Sequence, residues 1–306
     1  MSFAESYKKQ VSLLLNVMPI VAHETCFALK GGSAINLFYQ DMPRLSVDLD
    51  LVYLLHEDRI NAIQNINLAM NRIKDLLNQI GLQASCAGPN ESKKITCSNK
   101  FTSIKIEPNY TLRGSIYPVQ KVAVCQRVQQ NYGSAQMQVL ARDELYAGKF
   151  CAALDRQHPR DLFDVRQMYS TTAELTEKMI QCFVIYLLGH NRPVHELLDC
   201  EIKNRRDVFD KEFIGMTDVP ISYEELQDAL MRLKRELKEK LFVYKNFLLD
   251  FVSLNADFSK FPIAEILSFP AIQWKMKNLE QLKKSNKKKF ELQRNMLESY
   301  FSKISQ

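Results

Sequence analysis

The stretch that decides the fold runs from Leu29 to Val52 and reads LKGGSAINLFYQDMPRLSVDLDLV. An apolar lead, Phe27-Ala28-Leu29, meets Gly31-Gly32-Ser33, and an apolar-periodic segment extends from Ala34 to Tyr39. Asp41 and Pro43 break that segment. Ser46 to Tyr53 then reads SVDLDLVY, alternating with the period of a strand that buries one face. Asp48 and Asp50 therefore project from one face, a single residue apart. Carboxylates so placed repel each other until a cation sits between them. Mg²⁺ suits the pair, because it takes oxygen ligands from one or two carboxylates and from substrate phosphates. The upstream Gly-Gly-Ser permits a tight turn and presents N–H groups at a helix start, where anions bind. A phosphate turn beside a metal-binding carboxylate pair makes a site for a nucleoside triphosphate.

Working outward, residues 1–25 read as one or two amphipathic helices ending near Pro19. Apolar residues at Ile60, Ile63, Ile66, Ala69, Ile73, Leu76 and Leu77 give Glu57–Ile80 a helical period, with Gly81 at its end. Leu82–Gly88 reads as a short strand. KITCS (94–98) and FTSIKIE (101–107) form a candidate hairpin around Asn99-Lys100. Ser103, Lys105 and Glu107 share one face of its second strand. Alternation in Ile116–Val128 suggests another strand, and Gln136–Leu140 a last one before a helix over Ala141–Leu154. Lys149 sits in that helix among Leu145, Phe150, Ala152 and Ala153, where a lysine either snorkels to water or aims its charge at a phosphate. His158-Pro159-Arg160-Asp161 opens the next helix, with Asp161 and Asp164 on one face. Capping accounts for Asp161 equally well at this point.

The Gly31-Gly32-Ser33 turn followed by Arg44-x-Ser46-x-Asp48-x-Asp50 resembles the first motif of the DNA-polymerase-β-type nucleotidyltransferases. Within that superfamily the chain is most similar to the AbiEii/AbiGii (MenT-like) toxins. Lys149 in its small-residue helix resembles their second motif, Arg160-Asp161-x-x-Asp164 the third, and Asn191-Arg192-Pro193 with Glu196-Leu197-Leu198 a fourth that supports the site. The resemblance implies an α+β fold: a polymerase-β-like mixed sheet with flanking helices over residues 1–155, then a mostly helical region over 156–306. It implies a two-metal Mg²⁺ site on Asp48, Asp50 and Glu107, Glu107 being the third acid, on a strand beside the first two. Nucleotide binding would fall to Gly31, Gly32, Ser33, Arg44, Ser46, Lys149 and Arg160, and catalysis to Asp48, Asp50, Glu107, Lys149, Asp161 and Asp164. Arg160 would meet a phosphate or pair with one of the two acids. Implied partners are an NTP, an RNA acceptor such as the tRNA 3′ end, and a cognate antitoxin encoded nearby.

Composition sets the surroundings. The 306 residues are 46% hydrophobic and 25% charged, the balance of a globular protein with a real core. A formal charge of +6 favours an anionic partner mildly. Seven cysteines without a CxxC pair fit reduced thiols rather than a disulfide framework or zinc site. MSFAESYKKQ lacks the layout of a signal peptide, and no apolar run reaches a membrane span. A cytoplasmic protein is expected.

The C-terminal third reads as helix. Tyr223–Phe251 repeats leucines at three and four, its other positions crowded with Arg and Lys. Residues 275–289 hold seven lysines against one glutamate, a soluble tail or an arm for RNA phosphates; Trp274 and Phe290 are candidates for base stacking or for packing. Three functions stand at this point: nucleotidyl transfer to RNA, transfer to a small molecule or protein side chain, and a nucleotide-binding module without catalysis.

Overall fold

The computed structural model describes residues 4–303. The first three residues of the expected N-terminal helix, and the last three of the C-terminal region, lie outside the described residues. The chain forms two compact units. One runs from the N-terminal end to Leu145 and takes in Asp210–Ile221; the other comprises Tyr146–Phe209 and the chain from Ser222 onward.

The first unit is a seven-stranded mixed sheet. Its strands are β1 (Phe27–Lys30), β2 (Asp48–Tyr53), β3 (Gln83–Ala87), β4 (Lys94–Ser98), β5 (Ser103–Asn109), β6 (Gln120–Ala123) and β7 (Gln136–Val139), in the order β3-β4-β5-β2-β1-β7-β6. β2 runs parallel to β5 and antiparallel to β1, and β1 runs parallel to β7. Leu49, Leu51, Ile95, Cys97, Ile104 and Ile106 are buried on one face, packed by α1 (Glu5–Val21) and α3 (Arg59–Gln79). Between β1 and β2 the chain makes a helical turn, α2 (Gly31–Ala34), which continues as a π turn over Ile35–Tyr39. Asp58 caps α3 by accepting from the N–H groups of Ile60 and Asn61, and Gly81 takes the left-handed conformation just beyond its end.

α1 ends at Val21, two residues past Pro19, near its expected end; the proline removes only its own N–H, and Ala22 still donates to the Met18 carbonyl at 2.9 Å. One local expectation is corrected. The alternation over 116–128 yields only the four residues of β6, after which α4 (Gln126–Tyr132) begins. Its start is held from a distance: Cys125 N–H donates to the Leu37 carbonyl and Arg127 N–H to Asp41 Oδ1. Asp210–Ile221 adds to this unit through backbone bonds between Ala4 and Gly215 and between Leu45 and Met216.

The second unit is helical throughout. It takes α5 (Arg142–Asp155) from Tyr146 onward, then α6 (Pro159–Thr171), α7 (Glu177–Leu188), α8 (Val194–Leu198), α9 (Arg206–Val208), α10 (Tyr223–Lys240), α11 (Lys245–Val252), α12 (Pro270–Ser285) and α13 (Lys287–Ser302). A capping box of Ser222 and Glu225 starts α10, which packs on α6 with Tyr169 donating to Glu236 at 2.8 Å. The long helix expected over 223–251 is divided by a 3₁₀ turn, Leu241–Tyr244, where Tyr244 and Phe247 both pack on Phe261. The lysine-rich stretch is ordered helix rather than tail: Lys275 is buried, Phe290 is core, and Trp274 is partly exposed.

Candidate active site

In the first unit, β1 delivers the chain to Gly31, whose φ of +73° only glycine adopts freely. A side chain there would fall on the Asp50 carboxylate, so the turn and the acid lie in direct contact. Gly32 is equally constrained: a Cβ would stand 2.6 Å from Arg44 Nη2 and 2.9 Å from Ser46 Oγ. Ser33 is buried; its hydroxyl donates to the main-chain carbonyl of Asp48 and lies 3.1 Å from Ser46 Oγ. Arg44, 2% exposed, gives Nη1 to the Leu45 carbonyl at 2.9 Å. Arg44 and Ser46 thus pack behind the glycine turn and brace it. The motif's spacing is explained by this: its arginine and first serine back the turn that its glycines make.

The sheet register assembles the charges. Asp50 pairs across β2–β1 with Lys30 and across β2–β5 with Glu107, while Asp48 pairs with Lys105. Lys94 on β4 lies beyond Glu107, Nζ to Oε1 3.7 Å. One row of the open face therefore reads Lys94, Glu107, Asp50, Lys30, two acids flanked by two lysines. Among the described residues no three His, Cys, Asp or Glu side chains converge as a ready-made metal cage. The donor set still fits a hard divalent cation of the kind that keeps water and substrate oxygens in its shell, since two carboxylates on adjacent same-face positions are what the protein contributes to such a site. Strand alternation places Lys105 on the face of Glu107; Lys30 and Lys94 were not singled out from sequence, and the register reveals them.

The second unit holds a buried ionic cluster. Lys149 Nζ lies 2.7 Å from Asp161 Oδ1 and 3.0 Å from Asp164 Oδ2, and all three side chains are buried. Arg156 adds Nε to Asp161 Oδ2 at 2.5 Å and Nη2 to Oδ1 at 3.0 Å. Burial alone would raise the Asp161 carboxyl, but the charges of Lys149 and Arg156 and their hydrogen bonds hold it below the usual carboxylate range. The capping explanation for Asp161 fails, because His158 is the cap, its Nδ1 accepting from Arg160 N–H at 3.2 Å. The arginine that pairs with Asp161 is Arg156 rather than Arg160. Gly148 lets the Tyr186 ring approach α5, where a Cβ would stand 3.3 Å from it. The Asn191-Arg192-Pro193 loop ties to the end of the same helix: Arg192 Nη1 reaches Asp155 Oδ1 at 3.0 Å, and Lys275 donates to the carbonyls of His190 and Arg192, both at 2.8 Å.

The sequence profile of the nucleotidyl transferase AbiEii toxin family, of type IV toxin–antitoxin systems, matches residues 12–278. The chain belongs to that family. It is accordingly a nucleotidyltransferase toxin that uses a nucleoside triphosphate, and the family implies an antitoxin partner. Among solved structures, the toxin's fold is similar to that of MenT4, a nucleotidyltransferase toxin from Mycobacterium tuberculosis H37Rv, with a TM-score of 0.60 at 15% identity over 83% of this chain and 95% of that one. No curated protein matches. Among the described residues of the toxin, no helix is long and apolar enough to cross a membrane.

Proposed function

We propose that the toxin is an Mg²⁺-dependent enzyme that transfers a nucleoside monophosphate from an NTP to an RNA acceptor, the tRNA 3′ end, in the cytoplasm: the acceptor hydroxyl oxygen bonds to the α-phosphorus, the α–β anhydride breaks and pyrophosphate leaves. The observation that carries this reading is the register that sets Glu107 beside Asp50, with Asp48 on the same face and the glycine turn in contact with Asp50. Asp48 and Asp50, joined by Glu107, would hold Mg²⁺. When bound, the metal supplies charge neutralisation for the triphosphate and lowers the cost of ionising the acceptor hydroxyl. The N–H groups of Gly31 and Gly32 face the phosphates, and Arg44, Ser46 and Ser33 keep the turn in the shape that allows it. Glu107 accepts the proton of the acceptor hydroxyl, and Lys94 lies beside it, Nζ to Oε1 3.7 Å. Lys149, the lysine of the second motif, has the expected role of a point charge for a phosphate. Asp161, Asp164 and Arg156 hold that ammonium in one orientation, while Arg160 is available for a phosphate. The lysines of α12 and α13 provide the charge on which the body of the RNA lies.

The test is incubation of the purified toxin with Mg²⁺, each α-³²P-labelled NTP separately, and total RNA. Label is expected in tRNA-sized RNA. Label in protein or in small molecules instead would replace the acceptor, and triphosphate binding without any transfer would make the toxin a binding module.

A further inference from the structure

Between the π turn and β2, residues 40–47 carry Arg44 and Ser46, the two side chains that stand behind Gly32. This loop has no helix or strand of its own, so its shape comes from the partners its polar groups find. Gln40 N–H donates to the Ile35 carbonyl at 2.8 Å and Met42 N–H to the Asn36 carbonyl at 3.0 Å. Met42 is buried in the left-handed region, φ +51°, a conformation that a methionine keeps only where its surroundings over-determine it.

Those surroundings centre on Arg127, the second residue of α4. Its N–H donates to Asp41 Oδ1 at 3.1 Å and its Nη1 to the Met42 carbonyl at 3.3 Å, so one residue grips two successive positions of the loop. Its Nη2 donates to Asp218 Oδ2. The other oxygen of that carboxylate is buried without a hydrogen-bond partner among the described residues, which leaves Arg127 as its anchor. Two residues before Asp218, the Met216 carbonyl takes the N–H of Leu45 at 2.7 Å. Leu45 lies between Arg44 and Ser46, and Arg44 gives Nη1 to the Leu45 carbonyl at 2.9 Å. The contacts close a ring within the first unit: Asp41 and Met42 to Arg127, Arg127 to Asp218, and Met216 back to Leu45.

We propose that Arg127 is a positioning residue for the nucleotide: by fixing residues 41–45 it holds Arg44 and Ser46 against the glycine turn, and so sets the turn's N–H groups for the triphosphate. The inference rests on the reading above that this turn faces the phosphates. The guanidinium is committed to a carbonyl and a carboxylate, so it acts through the loop rather than by touching the nucleotide. Without that grip the turn's donors sample other orientations, and binding has to order them.

The full-length toxin is titrated with each of the four NTPs and Mg²⁺ by calorimetry, alongside thermal melts. The wild type is compared with Arg127→Met, Asp218→Ala, the two together, Gly32→Ala and, as a control for packing, Val128→Ala, whose side chain is buried on the same helix. Arg127→Met keeps the stem and the N–H to Asp41 and removes the fork. Its Kd for NTP should rise about tenfold, the scale on which removing a partner behind a binding group costs affinity. Asp218→Ala should move Kd the same way, and the double variant should be no worse than Arg127→Met, since both changes break one ring. Val128→Ala should lower the melting temperature and leave Kd unchanged. If Gly32→Ala raises Kd while Arg127→Met binds like the wild type, or no more weakly than Val128→Ala, the positioning role is overturned and the phosphate turn stands. An unchanged Kd in Gly32→Ala, or a wild-type toxin that binds no NTP, would overturn both.

Discussion

Gly32 has no room for a side chain, because the groups a Cβ would meet, Arg44 Nη2 at 2.6 Å and Ser46 Oγ at 2.9 Å, are themselves buried and cannot swing away. Gly32→Ala is therefore an overpacking change and should lower the unfolding free energy by about 1–3 kcal/mol, read by denaturant titration. A variant as stable as the wild type would mean that Arg44 does not brace the turn. Asp48 makes the opposite case. Its main-chain carbonyl, which Ser33 holds, survives truncation of the side chain, and removing one of two neighbouring carboxylates relieves their repulsion. Asp48→Ala should hold or raise the melting temperature while nucleotide transfer falls by about a hundredfold or more, the scale of losing a principal electrostatic contact in the transition state. Full activity in that variant would remove Asp48 from the metal site. The two aspartates were legible from sequence because strand alternation alone fixes which residues share a face. The buried position of Arg44 was not, since a motif spacing records that a residue is required and not which side of the turn it occupies.

At the scale of elements, the cluster joining α5 to α6 shows how a functional and a structural lysine become entangled. Lys149 sits between Asp161 and Asp164, all buried. Removing its charge leaves two buried carboxylates with Arg156 as a remaining cation, a loss of about 3–5 kcal/mol for a broken buried pair. Lys149→Met alone should therefore be strongly destabilised as well as inactive, and its inactivity proves little about phosphate binding. Lys149→Met/Asp164→Asn removes one charge of each sign and should recover much of the stability; if transfer remains absent in that double variant while Asp164→Asn alone retains it, the lysine's charge is needed for the reaction itself. A single variant as stable as the wild type would sink the account of the cluster. Helices with a local period, such as α3 and α10, were readable because their buried stripe repeats in the sequence. The π turn at Ile35–Tyr39, the start of α4 on Asp41 and the 3₁₀ break at Leu241–Tyr244 were not, since each is set by partners distant in the chain. The return of Asp210–Ile221 to the first unit rests on backbone bonds at Gly215 and Met216 and on the Arg127–Asp218 ion pair, partners too distant in the chain for a local pattern to show.

For the molecule as a whole, two buried charges shape stability against pH from opposite ends. Asp161 has its folded-state carboxyl lowered against burial by Lys149 and Arg156, so its contribution is complete above the ordinary carboxylate range and is lost as pH falls toward the folded value. Acid also strips negative charge from a chain already at +6, adding repulsion to that loss. Lys275 acts at the alkaline end. Burial pushes its ammonium down from 10.5 to about 8, with Glu196 opposing, although Nζ bonds two carbonyls at 2.8 Å. Between these two values the unfolded chain keeps a proton that the folded chain has released. Unfolding binds protons there, and the free energy of unfolding rises with pH by at most ~1.4 kcal/mol per unit from this group. Lys275→Met loses both carbonyl contacts at every pH but has no proton to exchange. The stability difference in favour of the wild type should therefore widen by roughly 2 kcal/mol between pH 8 and 10 in paired denaturant titrations. A difference that stays constant over that range would show that Lys275 keeps its charge in the fold, and that the loop from His190 to Arg192 is held by an ammonium at all working pH values.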